Sequence, residues 1–113
     1  MFDFMSAGEA FTALKEKRGI LIDVRSREDY DKGHLPGAEQ ISLSEILNGT
    51  YRNNSFFQST QADPKDQSVI LYCATGVSSL QAAVRLSEDG YESYSISGGL
   101  ADYRGQLITN PDR

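Results

Sequence analysis

The chain predicts an α/β domain: a mostly parallel five-stranded sheet with helices on both faces. Three observations predict it. Two apolar runs rich in branched residues, Ile20-Leu21-Ile22-Asp23-Val24 and Val69-Ile70-Leu71-Tyr72, read as buried strands. Capped helical patterns separate the strand candidates, so strand and helix alternate. The one cysteine, Cys73, follows the second run directly and precedes a helical pattern. That is the carboxyl end of a strand, where parallel sheets place their ligands.

The elements follow in order. Phe2-Asp3-Phe4 reads as a short first strand. Ser6 and Glu9 make a Ser-x-x-Glu capping box, and the helix it opens carries Ala10, Phe11 and Leu14 on one face and ends near Gly19. Residues 20–24 form the second strand. Residues 26–32 form a short polar helix stopped by Gly33, and His34-Leu35-Pro36-Gly37 is a turn, since proline presets one dihedral and glycine permits a positive φ. Residues 39–43 are expected as the third strand, residues 69–72 as the fourth, residues 78–88 as a helix capped by Gly90, and residues 92–96 as the fifth strand. Residues 44–67 break the pattern. They are long and polar, with turn signals at Asn48-Gly49 and Asp63-Pro64. Their apolar residues, Ile46-Leu47, Tyr51 and Phe56-Phe57, either pin the segment to the body or wall a substrate entrance.

The 113 residues are expected to close one core as a single domain, residues 1–113. Hydrophobic residues make up 39%, enough for a packed interior, and the net charge is −5. An acidic chain lacks the basic face that phosphate neutralisation requires, which argues against nucleic acid as a partner. No apolar stretch approaches the ~18 residues of a membrane span, and the first residues show no basic-then-apolar signal pattern. One cysteine makes no internal disulfide, so a reducing compartment, the cytoplasm, is the expected location. One Cys and one His (His34) are too few for a zinc site, and neither metal nor cofactor is expected.

Cys73 carries the chemistry. It sits in Tyr72-Cys73-Ala74-Thr75-Gly76-Val77-Ser78-Ser79, ahead of Leu80, Ala83, Val84 and Leu86 at helical spacing. A strand-to-helix turn aims backbone N–H groups and the positive end of a helix dipole at the sulfur. That favours the thiolate, the reactive form. The competing reading is a buried structural cysteine, because free cysteines are among the most buried residues.

The segment Leu21-Ile-Asp23-Val24-Arg25-Ser-Arg27-Glu-Asp29-Tyr30-Asp-Lys-Gly33-His34-Leu35-Pro-Gly37-Ala38 resembles the upstream signature of the rhodanese family, D-V-R, an acidic–aromatic pair and G-H-[IL]-x-G-A. Cys73 through Gly76, Gly90-Tyr91 and Gly98-Gly99-Leu100 resemble that family's active-site loop and closing elements, in the family's order and spacing. The resemblance runs from about Phe2 to about Tyr103. It implies a sulfurtransferase that moves sulfane sulfur through a Cys73 persulfide. The donor is thiosulfate, mercaptopyruvate or a low-molecular-weight persulfide. The implied acceptor is a small thiol or a thioredoxin-like or carrier protein, with cyanide as an acceptor in vitro. The loop amides from Ala74 through Thr75, Gly76, Val77, Ser78 and Ser79 are expected to hold the anionic sulfur. The Asp and Arg of D-V-R are largely architectural in the family; by position Arg25 is also a candidate for substrate binding, as is Arg27, against a surface ion pair for each. His34 is expected to bond backbone, with a catalytic base as its alternative role. Tyr103 is expected in the core.

The loop departs from the single-domain pattern at Ser78, where C-x-x-G-x-R would place an arginine. Gly76-Val77-Ser78 resembles instead the tandem-domain version, and Ala74 and Thr75 are the small uncharged kind that goes there with mercaptopyruvate. Position 79 is also Ser, so the loop lacks the arginine with which cysteine phosphatases grip a tetrahedral oxyanion. The alternative to sulfur transfer is a catalytically weak rhodanese-like domain that binds a partner or senses oxidants through Cys73.

Overall fold

A computed structural model of the chain describes residues 1–54 and 68–109. The strands are β1 (Phe2–Met5), β2 (Gly19–Asp23), β3 (Glu39–Gln40), β4 (Ser68–Tyr72) and β5 (Glu92–Ile96). They form one sheet in the order β1-β5-β4-β2-β3, and every pairing is parallel. Parallel neighbours need crossover connections, which here carry α1 (Ala7–Lys15), α2 (Arg27–Lys32), α3 (Leu43–Asn48) and α4 (Val77–Glu88). The expected α/β architecture is the observed one.

Alternation along β4 sorts the interior into two cores. Val69, Leu71 and then Cys73 face the side covered by α3 and α4, packing with Ile46, Tyr51, Ala82, Ala83 and Leu86. Ile70 and Tyr72 face α1 and α2, packing with Ala10, Ala13, Tyr30 and Ile96. Cys73 therefore continues the α3/α4 face beyond the strand end. Helix α4 lies close on β5 because the contact residues are small: the buried Ser93 hydroxyl donates to the Ala83 carbonyl at 2.6 Å.

Local capping groups set the helix ends. Ser6 and Glu9 complete a capping box on α1, and Ser26 caps α2 by accepting from the Asp29 amide. Past α4, Asp89 is the C-cap residue and Gly90 follows it at φ +98°. The Gly90 and Tyr91 amides donate to the Ser87 and Leu86 carbonyls, the paired bonds of a Schellman motif.

Several boundaries differ from expectation: α1 ends at Lys15 rather than near Gly19, β2 covers Gly19–Asp23 rather than residues 20–24, and α2 starts at Arg27 because Ser26 is its cap. The third strand covers Glu39–Gln40 rather than residues 39–43, because Ser42 and Glu45 form a second capping box that starts α3 at Leu43. Helix α4 begins at Val77, one residue earlier than Ser78. Within the irregular segment, α3 is followed by a 3-10 turn at Thr50–Asn53, and Tyr51 is fully buried, so this aromatic pins the segment to the body. Phe56, Phe57 and Asp63-Pro64 lie outside the described residues. Among the described residues no helix is long and apolar enough to cross a membrane.

Candidate active site

Beyond β4 the chain turns through Cys73-Ala74-Thr75 and enters α4 at Gly76, whose φ of +99° a residue with a Cβ rarely adopts. Gly76 has no side chain to cap the helix, and the first-turn amides of a helix have no partner within it. The sulfur takes up amides of the loop and of the first turn. The Gly76 amide lies 3.1 Å and the Ser79 amide 3.3 Å from Cys73 Sγ, and the Ser79 hydroxyl lies 3.5 Å away. Ser79 Oγ in turn meets the hydroxyl of Ser95, on β5, at 2.7 Å.

The outer wall is braced by the turn after β5. A 3-10 helix covers Gly99–Asp102, and the amides of Leu100 and Ala101 donate to the carbonyls of Cys73 and Ala74 at 3.0 and 2.9 Å. Two loop carbonyls are thereby held in that turn. A Cβ at Gly99 would fall 2.3 Å from the Cys73 carbonyl oxygen, so this approach needs glycine.

Two effects oppose each other on the thiol. Burial pushes its pKa up, since Cys73 is 5% exposed. Bonds from the Ser79 hydroxyl and from the Ser79, Gly76 and Thr75 amides favour the thiolate and outweigh burial, leaving the pKa lowered from the ordinary thiol value. The structure thus gathers Cys73, Thr75, Gly76 and Ser79 around one sulfur. Ala74 and Thr75 are exposed at the mouth, Val77 stands out at 64% exposure, and Ser78 is half-buried.

Arg25 is engaged elsewhere. Its guanidinium bonds both oxygens of the fully buried Asp23 at 2.7 to 3.1 Å and donates to the Gly33 carbonyl at 2.6 Å. It lies over the ring of Tyr72, whose side chain faces α1 and α2, away from the Cys73 core. Arg27 pairs with Asp31 at 3.7 Å and stacks over Tyr30. His34 is buried: Nδ1 donates to the Tyr30 carbonyl at 2.8 Å, its ring stacks on Tyr30, and its backbone bridges to Ile108. Tyr103 is half-buried against Phe11, at the margin of the α1/α2 core.

Sequence reasoning missed Ser95 and the physical role of Gly99. A serine in a strand reads as ordinary alternation, and nothing in its spacing points to a residue sixteen positions upstream. Gly99 carried a signal in the Gly98-Gly99-Leu100 element, but the backbone it approaches is visible only in three dimensions.

The chain has relatives among known proteins. The rhodanese-like domain family matches residues 6–106. A tRNA sulfurtransferase of Desulfurococcus amylolyticus is 42% identical over 88 residues, 78% of this chain, and the chain spans 15% of that protein. The thiosulfate sulfurtransferase GlpE of Coxiella burnetii is 30% identical over 111 residues, covering 97% of this chain and 94% of that protein. Among solved structures, a rhodanese with anions from E. coli superposes with a TM-score of 0.62 at 33% identity, covering 80% of this chain and 98% of that one. A human single-domain sulfurtransferase, TSTD1, gives 0.70 at 25% identity, covering 89% and 97%. The chain belongs to the rhodanese-like domain family, and its relatives include sulfurtransferases.

Proposed function

We propose that this member of the rhodanese-like domain family moves sulfane sulfur from a small donor to a thiol acceptor through a persulfide on Cys73. The observation that carries the reading is the sulfur's surroundings: a buried Sγ with two amides donating to it, a hydroxyl at 3.5 Å and a lowered pKa. A purely structural cysteine in an apolar core would be pushed up instead.

The Cys73 thiolate attacks the transferable sulfur of the donor, and an S–S bond forms as the donor's own bond to that sulfur breaks. From thiosulfate, sulfite leaves with the bonding pair. From a low-molecular-weight persulfide, a thiolate leaves. From 3-mercaptopyruvate the C–S bond breaks, and the enolate of pyruvate leaves and takes up the donor thiol's proton. The negative charge then resides on the outer sulfur of the persulfide. In the second half-reaction an acceptor thiolate attacks that sulfur, and Cys73 leaves as thiolate. Cyanide takes the same role in vitro. The Gly76, Ser79 and Thr75 amides stabilise Sγ, and the first-turn amides of Val77 and Ser78 are the donors left for the outer sulfur. Small exposed Ala74 and Thr75 leave the mouth open to an acceptor. Arg25 acts as a brace of the Asp23 turn beside the loop rather than as a substrate ligand. The net charge of −5 supports a thiol acceptor over nucleic acid.

Intact mass after exposure to thiosulfate, mercaptopyruvate or glutathione persulfide tests the reading. We expect a gain of one sulfur with at least one donor, lost again on adding a thiol. Serine is nearly isosteric with cysteine, so Cys73→Ser should fold normally and gain nothing. A wild-type protein that takes up no sulfur from any of the three sinks the proposal in favour of a binding or redox-sensing domain.

A further inference from the structure

Ser95 belongs to neither the loop nor the sequence signature, yet its hydroxyl is one bond from the one that touches Cys73. Ser79 and Ser95 are both fully buried. Ser79 Oγ lies 3.5 Å from Sγ and 2.7 Å from Ser95 Oγ, and among the described residues the Ser95 hydroxyl meets no other partner. The three groups form a chain of two links: sulfur, Ser79, Ser95. Each hydroxyl carries one proton and a thiol carries a third.

Counting protons gives the chain a direction. With a neutral thiol there are three protons for two links, and one proton ends without an acceptor. Either Ser95 points a buried O–H at nothing, or the thiol hydrogen turns away from Ser79. With a thiolate there are two protons for two links. Ser95 then donates to Ser79 Oγ, Ser79 donates to Sγ, and every donor is satisfied. A buried donor without an acceptor is costly, and aligned hydrogen bonds strengthen one another.

We propose that Ser95 is a positioning residue for the sulfur chemistry: by donating to Ser79 Oγ it fixes the Ser79 hydroxyl proton on Cys73 Sγ and so favours the thiolate. This deepens the persulfide reading and rests on it, since it names a residue that readies the same nucleophile. The ionisable groups around the loop do not compete for the role. Asp23 and Arg25 are bonded to each other, and Tyr72 faces the opposite core. Glu45 of α3 is held in its own capping box. Arg85 and Asp89 pair at the far end of α4. On β5, Ser95 lies between Tyr94, whose neighbour in register on β4 is Ile70 of the α1/α2 core, and Ile96 of that same core.

Alkylation by iodoacetamide, a neutral reagent, is followed against pH in the wild type, Ser79→Ala, Ser95→Ala, Ser95→Thr and the Ser79→Ala/Ser95→Ala double variant. Circular dichroism confirms folding. Below the midpoint, loss of a bond to a charged acceptor should slow Ser79→Ala roughly tenfold, and loss of the neutral bond behind it should slow Ser95→Ala about threefold. Both midpoints rise. Ser95→Thr keeps the hydroxyl and the wild-type midpoint. Because Ser95 acts through Ser79, the double variant matches Ser79→Ala, and the Ser95→Thr midpoint, equal to or above that of the wild type, decides the matter where Ser95→Ala is unstable. An unchanged midpoint in Ser95→Ala overturns the proposal. So does a further rise in the double variant, or the same rise in Ser95→Thr, which marks a packing effect. The thiol titration is independent of sulfur uptake, so a wild type that gains no sulfur overturns the persulfide reading and leaves this result standing.

Discussion

Two neighbouring strands end side by side and are completed in opposite ways. Strands β2 and β4 pair from Gly19↔Ser68 to Asp23↔Tyr72. Past β2 the chain closes with charge: Asp23 accepts from the Arg25 backbone and guanidinium, and Arg25 spans on to the Gly33 carbonyl. Past β4 it closes with backbone: amides and a hydroxyl converge on Cys73. The first end already holds its anion, the Asp23 carboxylate, and its cation is committed. The second end keeps its donors on a sulfur that can change its bonding. Charge builds the rigid shoulder; uncharged dipoles built into the loop do the proposed chemistry.

The largest effect expected from breaking this contrast is on the charged side. Arg25→Ala leaves Asp23 buried without its counter-ion, which typically costs about 3–5 kcal/mol. Urea unfolding measures it. A loss below about 1 kcal/mol would mean that the pair behaves like an exposed one, and Arg25 would return as a substrate ligand.

Next in size is Gly99, which aims the uncharged side. Gly99→Ala should cost about 2–3 kcal/mol, since it combines a positive φ with a Cβ driven into the Cys73 carbonyl. It should also raise the alkylation midpoint of Cys73 by shifting the amides. Gly37→Ala is the control. Its φ is +85° but nothing lies within 4 Å of the added atom, so it should cost about 1–2 kcal/mol and leave the midpoint alone. Equal midpoints in the two variants would show that the loop does not depend on the Gly99 turn.

A smaller effect comes from adding charge where the loop has none. Ser78→Arg should raise thiosulfate kcat/KM about tenfold, the worth of a charge-assisted contact, and the gain should shrink at high salt. The wild type is expected to use thiosulfate poorly beside mercaptopyruvate or a low-molecular-weight persulfide, because an acidic domain repels a dianion. A wild type that strongly prefers thiosulfate would defeat that expectation. Arg25 and Arg27 would then be the first residues to substitute.

The sequence made the frame and the position of Cys73 at a strand end legible for physical reasons. Buried parallel strands are continuous apolar runs, so Ile20-Leu21-Ile22 and Val69-Ile70-Leu71 stood out. Capping boxes use local spacing, so Ser6 and Glu9 stood out too. The misplaced end of β3 came from passing over the same pattern at Ser42 and Glu45: Ile41 is fully buried, and a buried apolar residue after a strand reads as more strand. What spacing cannot show is contact between distant segments. The bond between Ser95 and Ser79 and the approach of Gly99 to Cys73 are of that kind. They are also what turns a cysteine after a strand into a sulfur with aimed donors.

The smallest effect separates the two strand ends by pH. The folded pKa of Cys73 lies below that of the unfolded thiol, as bonds from Ser79 and the amides outweigh burial. A depressed acid adds stability that is fully present above the unfolded thiol value of ~8.5 and is lost as pH falls through the folded value. The stability of the wild type relative to Cys73→Ser should therefore grow as pH rises toward the unfolded value of ~8.5 and level off above it, by about 1.4 kcal/mol for each unit of depression. At the other end, burial pulls the Arg25 pKa down but the bonds to Asp23 raise it further, leaving it above its ordinary value. A raised base gives stability that is fully present below its unfolded value, far above this window. The cost of Arg25→Ala should then stay flat over the same pH range. Urea unfolding of the three proteins under reducing conditions reads both slopes. A difference for Cys73→Ser that narrows with rising pH would mean burial governs the thiol, and the contrast between a charged shoulder and an amide-lined sulfur would have to be abandoned.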